Sequence, residues 1–325
     1  MSRAEGKLRF LLALQEECGG SIPFERYMRE ALYHPEFGYY TASIRGIGRK
    51  GDFTTWPVLH ASLAKAIARW IRTHRPRHII EVGAGTGELA GAVRRALGWW
   101  GRPKHHIVEI SPVLRAEQQK LLGRGVTWHP SMKAAVEACG GEAVIYSNEL
   151  VDAFPCRVFQ KQGTAWRELA LRIEGTQVVE EWLDSERPES TVFAHEWPDG
   201  QRVEVQESFR HWVQEWLPAW QRGAMLTIDY GDLCPDLYQR RPRGTLRSYV
   251  HHTRKEGEGV YMGFGQRDIT LDVNFSDLQK LPGLTVEKQL RLDQFIKEYG
   301  RVKDIPATFE QAGEAFQALI QSRIL

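Results

Sequence analysis

Short apolar runs alternate with segments of helical apolar spacing from about residue 77 onward. The apolar runs predict strands, and apolar residues that recur at helical spacing predict helices. Alternation of this kind is typical of a parallel sheet with right-handed crossovers, so the predicted fold class is α/β, with a mostly parallel sheet and helices on both faces. Strands are predicted at residues 78–83, 105–110, 126–129, 143–147 and 224–230, and helices at residues 87–97, 112–122 and 131–139.

The pattern changes on both sides of this alternating part. Ahead of it, helices are predicted at residues 24–33 and 60–73, with an aromatic turn between them. Residues 157–182 alternate in period two, which predicts antiparallel hairpins with a turn at Glu174. A further helix is predicted at residues 207–221. Its tryptophans recur at every fourth position, as one helix face requires: Trp212, Trp216 and Trp220.

These patterns divide the chain into three expected parts. Residues 1–76 are expected to form an N-terminal helical and aromatic-loop segment that covers the ligand site. Residues 77–155 and 223–325 form the expected α/β core. Residues 156–222 form an insertion between the fourth and fifth strands of that core, with hairpins and the tryptophan-rich helix. We expect this insertion to serve as a subdomain for an acceptor or a partner.

Composition excludes several classes of protein. With 42% hydrophobic and 26% charged residues, the 325-residue chain is typical of a globular protein. The net charge of +2 gives no electrostatic case for nucleic-acid binding, which needs a concentrated basic face. The apolar run at residues 8–14 is shorter than a membrane span, so no span is expected.

The cysteine and histidine patterns predict neither a disulfide framework nor a metal site. The cysteines are scattered, and none forms a Cys-x-x-Cys pair, which is typical of reduced thiols in a cytoplasmic protein. The adjacent His251 and His252 have no third ligand at a useful spacing. The cysteines are Cys18, Cys139, Cys156 and Cys234.

A glycine-rich turn is the strongest sign of ligand binding. The segment from Ile79 to Leu89, IIEVGAGTGEL, runs an apolar strand directly into a Gly-x-Gly-x-Gly turn that opens a helix. Glycine lacks a Cβ, so such a turn presents bare backbone to a ligand. The spacing is tighter than that of dinucleotide folds and suits a nucleoside without a pyrophosphate, of which S-adenosylmethionine is the commonest example. The alternative is an ordinary strand-to-helix turn. The predicted cofactor-binding residues here are Gly83, Ala84, Gly85, Thr86 and Gly87.

An acid after the next predicted strand also favours a nucleoside. Glu109 lies 22 positions after Gly87. In such units an acid about 20 residues beyond the glycines accepts hydrogen bonds from ribose hydroxyls. We therefore predict that Glu109 binds the ribose and that the adjacent Ile110 contacts the cofactor. The alternative for Glu109 is a solvated charge at the end of a strand.

Polar residues also follow the fourth predicted strand, at Asn148, Glu149 and Asp152. If this loop forms one helical turn, the two acids share a face. Paired carboxylates beside a sulfonium could bind a cationic acceptor, such as a guanidinium, and could take up the proton that the acceptor loses. We predict that Glu149 and Asp152 are catalytic and that Asn148 binds the cofactor. The alternative is a helix N-terminal cap.

The fifth predicted strand ends in Asp229. The carboxyl ends of parallel strands meet at one edge of a sheet, where ligands bind. The segment that begins at Asp229 is therefore one of the loops in which functional residues are expected. The expected role of Asp229 is structural: it supports the pocket or holds the adjacent loop.

Taken in order, these motifs resemble the MidA family of S-adenosylmethionine-dependent methyltransferases, over about residues 24–300. The resemblance implies a Rossmann-like class I methyltransferase fold. Mitochondrial members are complex I assembly factors and protein-arginine methyltransferases, so it also implies a protein arginine as acceptor, with a respiratory-complex subunit as one candidate. The motifs are Tyr33-His34-Pro35 with Gly38-Tyr39-Tyr40, Gly51-Asp52-Phe53-x-Thr55, Glu81–Leu89, Glu109-x-Ser111-Pro112, Asn148-Glu149-x-x-Asp152-Ala153-x-Pro155, Ile228-Asp229-Tyr230-Gly231, Gly244-Thr245-Leu246-Arg247-x-Tyr249-x-x-His252, Asp268-Ile269-Thr270 and Gln294-Phe295.

The resemblance assigns roles to individual positions. It assigns the glycine turn to the cofactor, Glu109 to the cofactor ribose, and Asn148 with Glu149 to the methyl-transfer site. The loop that contains Asp52 and Phe53 would cover the cofactor, so both residues are predicted to bind it.

Two segments depart from the family pattern. Residues 56–58 read Trp-Pro-Val where the family has a small residue followed by Pro-Glu, so an acid is missing. Residues 271–275 read Leu-Asp-Val-Asn-Phe where the family has Ala-His-Val-Asp-Phe. Both departures bear on the acceptor rather than on cofactor binding. Two alternatives therefore stay open: a non-catalytic scaffold or assembly factor that acts through protein contacts, and a small-molecule methyltransferase.

Overall fold

The computed structural model describes residues 2–43, 57–175, 177–250, 253–300, 313 and 315–324. Helices and strands are numbered here in chain order. The helices are α1 (Arg3–Glu17), α2 (Phe24–Tyr33), α3 (Pro57–His74), α4 (Glu88–Leu97), α5 (Pro112–Leu122), α6 (Met132–Ala138), α7 (Glu207–Trp216), α8 (Phe275–Leu278) and α9 (Leu292–Gly300). The strands are β1 (Ile22–Pro23), β2 (His78–Val82), β3 (Lys104–Val108), β4 (Val126–His129), β5 (Val144–Asn148), β6 (Arg157–Gln162), β7 (Ala165–Glu174), β8 (Gln177–Asp184), β9 (Arg202–Val205), β10 (Arg222–Asp232), β11 (Arg247–Val250), β12 (Thr253–Glu256), β13 (Asp268–Thr270), β14 (Val273–Asn274), β15 (Thr285–Arg291) and β16 (Phe316–Ile324).

The chain divides into two compact units. One comprises Met1–Ile44, Ala153–Arg210 and Leu233–Asn274, and the other comprises Arg45–Asp152, His211–Asp232 and Phe275–Leu325. We call them the first and the second unit. The predicted division into an N-terminal segment, a core and an insertion stays a prediction.

The second unit contains the predicted parallel sheet. Its strand order is β15-β16-β10-β5-β2-β3-β4. The strands β10, β5, β2, β3 and β4 run parallel to one another, whereas β16 is antiparallel to both of its neighbours, β10 and β15. This arrangement confirms the α/β, Rossmann-like fold class. The carboxyl ends of β2, β3, β5 and β10 therefore lie at one edge, where parallel sheets of this kind bind their ligands.

Helices α3, α4 and α9 cover this sheet with apolar side chains. Ile67, Trp70, Val93 and Phe295 are almost completely buried in one cluster with residues of β2, β5, β10 and β16. Helix α6 packs against β3 and β4. The helical spacing of apolar residues predicts these faces, since residues three and four apart lie on the same side of a helix.

The first unit contains the predicted antiparallel hairpins. The strand order is β1-β7-β6-β9, with β8 paired to β7, and the β7–β8 turn lies at Glu174, as predicted. A separate three-stranded sheet has the order β12-β11-β13. Phe159, Trp166 and Val203 belong to a buried cluster of this unit. The alternating pattern predicts this arrangement because successive strand residues face opposite sides of a sheet.

The tryptophan-rich helix is shorter than predicted. Helix α7 ends at Trp216 and is followed by a 3₁₀ turn at Leu217–Ala219. Pro218 lacks an N–H and disfavours the helical conformation of the residue before it, so the α-helix cannot run on to residue 221. The three indole rings nevertheless contact one another in a row. The ring centroids are 5.5 Å apart for Trp212 and Trp216 and 6.0 Å apart for Trp216 and Trp220.

Two further observations concern the thiols and the membrane. All four cysteines lie in the described part of the chain, and each is a free thiol. Among the helices that the structure describes, none has the length and apolar character needed to cross a membrane.

Candidate active site

The glycine turn joins β2 to α4 in a backbone conformation that other residues rarely adopt. The φ angles of Gly83, Gly85 and Gly87 are 66°, 54° and 85°. A Cβ on Gly83 would lie 2.8 Å from Cδ1 of Leu150, which is closer than real Cβ contacts. Only glycine fits this position without strain. The turn therefore presents bare backbone, and Leu150 places the loop after β5 directly against it.

Glu109 lies just beyond β3, because the strand ends at Val108 rather than at residue 110 as predicted. The chain turns there: the carbonyl of Val108 accepts a hydrogen bond from the N–H of Gly83, and Ser111 caps helix α5. Glu109 is buried, whereas the adjacent Ile110 is 58% exposed.

The carboxylate of Glu109 accepts hydrogen bonds from neighbouring backbone and side-chain groups. Oε1 accepts from the N–H of Ser111 at 2.9 Å, and Oε2 accepts from Nε2 of Gln118 at 2.9 Å. Burial raises the pKa of Glu109, and both hydrogen bonds oppose that shift. Each carboxylate oxygen can accept more than one hydrogen bond, so the group can still accept a hydrogen bond from a ribose hydroxyl.

Gln118 is a site residue that the sequence analysis missed. It is completely buried. Its Nε2 donates to the carbonyl of Gly85 at 2.8 Å as well as to Glu109, and its Oε1 accepts from Nε1 of Trp128 at 2.9 Å. Gln118 therefore ties the glycine turn to the acid. The available signal was a polar residue four positions after Leu114, on the buried face of α5.

The loop after β5 begins with a strained residue. Glu149 has a φ of 53°, and its N–H still donates to the carbonyl of Ile228 at 2.9 Å, as if the strand continued. Nδ2 of Asn148 donates to Oε1 of Glu149 at 3.0 Å. A 3₁₀ turn follows at Val151–Ala153. The prediction that Glu149 and Asp152 share one helical turn is therefore wrong. The backbone of Glu149 adopts the left-handed conformation, and the residue lies before the 3₁₀ turn that contains Asp152. Strained residues of this kind often mark functional sites.

Asp229 holds this loop in place. The residue is fully buried. Its Oδ2 accepts hydrogen bonds from the backbone N–H groups of Leu150, Val151 and Asp152, at 3.1, 2.8 and 3.3 Å, and its Oδ1 accepts from the N–H of Tyr230 at 2.9 Å. The expected loop-holding role of Asp229 is confirmed. Asp229 on β10 therefore accepts the hydrogen bonds that an N-terminal cap would accept. The acids of the loop itself do not have this role.

Three acids lie close together at this point of the sheet edge. Burial and the charge of Asp152 raise the pKa of Glu149 to about 7, although hydrogen bonds from Asn148 and Tyr230 oppose the shift. Burial and the charges of Asp152 and Glu149 raise the pKa of Asp229 well above its ordinary value. Such a cluster is stabilised by a cation, which offsets the repulsion between its carboxylates.

The structure brings most of the predicted site residues to one edge of the sheet. The glycine turn, Glu109, and the loop of Asn148, Glu149 and Asp152 follow the carboxyl ends of β2, β3 and β5. Asp52 and Phe53 lie outside the described residues. Bare backbone beside a buried carboxylate with free acceptor capacity fits a nucleoside such as S-adenosylmethionine. The roles of the individual residues stay predictions.

Solved structures resemble the whole chain. A protein from Burkholderia thailandensis bound to S-adenosyl-homocysteine matches with a TM-score of 0.84 and 28% identity, over 98% of this chain and 92% of that one. A native crystal structure from the same organism matches with a TM-score of 0.78 and 26% identity over the same shares.

Curated relatives match at a similar level of identity. Protein arginine methyltransferase NDUFAF7, mitochondrial, from Danio rerio is 27% identical over 305 residues, which cover 81% of this chain and 69% of the relative. The protein of the same name from Mus musculus is 25% identical over 338 residues, which cover 91% and 74%.

A family model decides the assignment. The model of a family of S-adenosyl-L-methionine-dependent methyltransferases matches residues 62–290, well over half of the chain. The match agrees with the MidA resemblance, with the Rossmann-like sheet and with the glycine turn that the structure places at its edge. The chain therefore belongs to the S-adenosyl-L-methionine-dependent methyltransferase family, as an enzyme that uses S-adenosylmethionine.

Proposed function

We propose that this enzyme methylates arginine side chains of an acceptor protein. The observation that carries the proposal is the position of Glu149, whose loop packs through Leu150 against the glycine turn. A carboxylate at the edge of the cofactor turn, with a second carboxylate nearby, suits a guanidinium acceptor. The names of the relatives from Danio rerio and Mus musculus, both protein arginine methyltransferases, support the same acceptor.

In this proposal the backbone of residues 83–87 holds the cofactor. Glu109 accepts hydrogen bonds from the ribose hydroxyls, with Gln118 orienting its carboxylate. Asn148 and Ile110 line the cofactor site, and the loop of Asp52 and Phe53 covers it. S-adenosylmethionine, when bound, supplies an electrophilic methyl group on a sulfonium.

The acids of the loop act on the acceptor. Ionised Glu149 accepts hydrogen bonds from the guanidinium and orients one nitrogen for attack, and Asn148 holds its carboxylate. The charge of Asp152 favours a cation at this place. An arginine nitrogen becomes acidic only as the new bond to carbon forms, and Glu149 then takes the proton.

The location and the partner belong to the proposal as well. The scattered free thiols favour a cytoplasmic location, whereas the relatives named above are mitochondrial. The proposed partner is an acceptor protein, with a respiratory-complex subunit as one candidate. The residue 156–222 segment is proposed to contact it.

The acceptor is tested with purified enzyme, S-adenosylmethionine and arginine-containing peptides from respiratory-complex subunits. We expect mass spectrometry to detect methylarginine. Peptides in which lysine replaces arginine serve as the control and should stay unmodified. Methylation of lysine, or of small molecules alone, would contradict the arginine acceptor but not the methyltransferase activity.

Replacing Gly85 with Arg is expected to remove saturable binding of S-adenosylmethionine. The residue has a φ of 54°, and a long side chain there would fill the space beside the turn that the cofactor is proposed to occupy. Calorimetric titration measures the loss. Gly163→Arg is the matched control, because Gly163 has a φ of 59° and open space around its Cβ at the β6–β7 turn. Equal binding by wild type and Gly85→Arg would show that the turn does not hold the cofactor.

The pH dependence of kcat/KM is expected to follow the ionisation of the Glu149 carboxyl. The protonated carboxyl cannot take up a proton, so kcat/KM should rise as the pH rises through the Glu149 pKa of about 7. Because this folded-state pKa lies above the ordinary 4.5, the same ionisation lowers the stability of the fold as the pH rises between these values. Steady-state rates from about pH 5.5 to about pH 8.5, a range that spans this pKa on both sides, test the first point. A flat profile would exclude Glu149 as the group that titrates.

A further inference from the structure

Three potential metal ligands meet at the other end of β2 from the glycine turn. His78 is the first residue of β2, His106 lies in β3, and Cys139 caps the C-terminus of α6. One nitrogen or sulfur atom from each residue lies within 4.8 Å of the others. His106 and Cys139 are buried, and His78 is half-buried. The methyltransferase chemistry proposed above uses none of these residues.

The distances suit a shared ion. Nδ1 of His78 and Nε2 of His106 are 3.0 Å apart. Two nitrogens bound to one tetrahedral zinc ion, each about 2.0–2.1 Å from the metal, lie about 3.3 Å apart. A small shift of either ring would therefore replace the contact between the two nitrogens with two bonds to a metal.

A fourth residue orients the central ring. Nδ1 of His106 lies 2.8 Å from Nε2 of His129. When Nδ1 of His106 donates its proton to His129, the lone pair of Nε2 is directed towards His78. Histidines that bind metals usually donate their other ring N–H to such a partner, which sets the tautomer.

We propose that His78, His106 and Cys139 bind a zinc ion, with His129 as the residue that positions His106. Two imidazoles and a thiolate are typical of zinc, whereas calcium and magnesium prefer oxygen ligands. Binding forms one Zn–S bond and two Zn–N bonds. The thiol of Cys139 releases its proton to solvent in the same step, so the charge balances. The ion would link the first residue of β2 and the middle residue of β3 to the end of α6.

The test uses the full-length chain, freed of metal with a chelator and titrated with zinc chloride. We expect one equivalent to bind and the Tm to rise, because a ligand that binds only the folded state stabilises it. Replacing zinc with cobalt(II) should give a thiolate-to-cobalt absorption band. His129→Ala is expected to weaken zinc binding about 10–100-fold, as for other residues that orient a metal ligand.

Two ligand variants and one control decide the outcome. Cys139→Ser should lose the cobalt–thiolate band, and His78→Gln, at a half-buried position, should lose the stoichiometric binding while remaining folded. Cys18→Ser removes a thiol in α1's C-terminal cap and should bind like wild type. The proposal is overturned if the folded wild type binds no zinc, or if Cys139→Ser and His78→Gln both bind as wild type does. The three histidines would then form only a hydrogen-bonded chain.

Discussion

Glu149→Gln is expected to lower the methyl-transfer rate about 10²–10⁴-fold, the usual contribution of a positioned acid or base. The amide has nearly the same shape as the carboxyl, but it can neither take up the proton nor carry the charge that favours a guanidinium. Affinity for S-adenosylmethionine should change little, since the glycine turn and Glu109 are untouched. Single-turnover rates and calorimetric titration measure the two effects separately.

Glu142→Gln is the matched control for this variant. Glu142 is exposed and lies just before β5, at the other end of the strand from Glu149. Its replacement should leave both the rate and the cofactor affinity unchanged. Normal turnover by Glu149→Gln would show that the assignment of Glu149 is wrong, while the cofactor site could still be correct.

Asp229→Ala is expected to lower the free energy of unfolding by about 3–5 kcal/mol. The carboxylate accepts hydrogen bonds from four backbone N–H groups. A buried donor without a partner costs about 1–3 kcal/mol, and losing several together places this variant among the most destabilising single substitutions. Denaturant unfolding measures the change. Asp184→Ala, at a side chain that is 82% exposed, should stay within about 0.5 kcal/mol of wild type.

Asp229→Asn separates the charge of Asp229 from its hydrogen bonds. The amide oxygen still accepts from the loop, so this variant should be more stable than Asp229→Ala. It also removes a carboxyl group whose own pKa is raised by burial and by the charges of Asp152 and Glu149. Because burial and the charge of Asp152 raise the pKa of Glu149, the rise of kcat/KM should stay at the same pH in Asp229→Asn. Wild-type unfolding free energy in Asp229→Ala would contradict the loop-holding role.

Local pattern was sufficient for most of the second unit's sheet. Strands β2 to β5 and helices α4 to α6 lie within two residues of their predicted ends. The reason is that their periodicity is strong and their starts and ends carry local signals, such as Gly87 before α4 and Ser111 before α5. The prediction failed where a single residue overrode the pattern, as Pro218 does at the end of α7.

The sequence motifs of the active site could be predicted, whereas the contacts between its residues could not. The glycine turn, Glu109 and the loop of Glu149 stand out because each follows an apolar strand. Gln118 does not stand out, since nothing near it in sequence shows that it contacts both Gly85 and Glu109. The backbone of Glu149 was also wrongly predicted, because its conformation depends on hydrogen bonds to β10, 79 residues away along the chain.

The sequence by itself determined the α/β class, the glycine turn and the identity of the acids at the strand ends, because each depends on residues close together in the chain. Only the tertiary structure decided how those acids behave. The raised pKa of Glu149, the loop held by Asp229 and the grouping of His78, His106 and Cys139 arise from burial and from contacts between distant strands. Hydrogen bonds and desolvation depend on distance in space, which the order of residues does not contain.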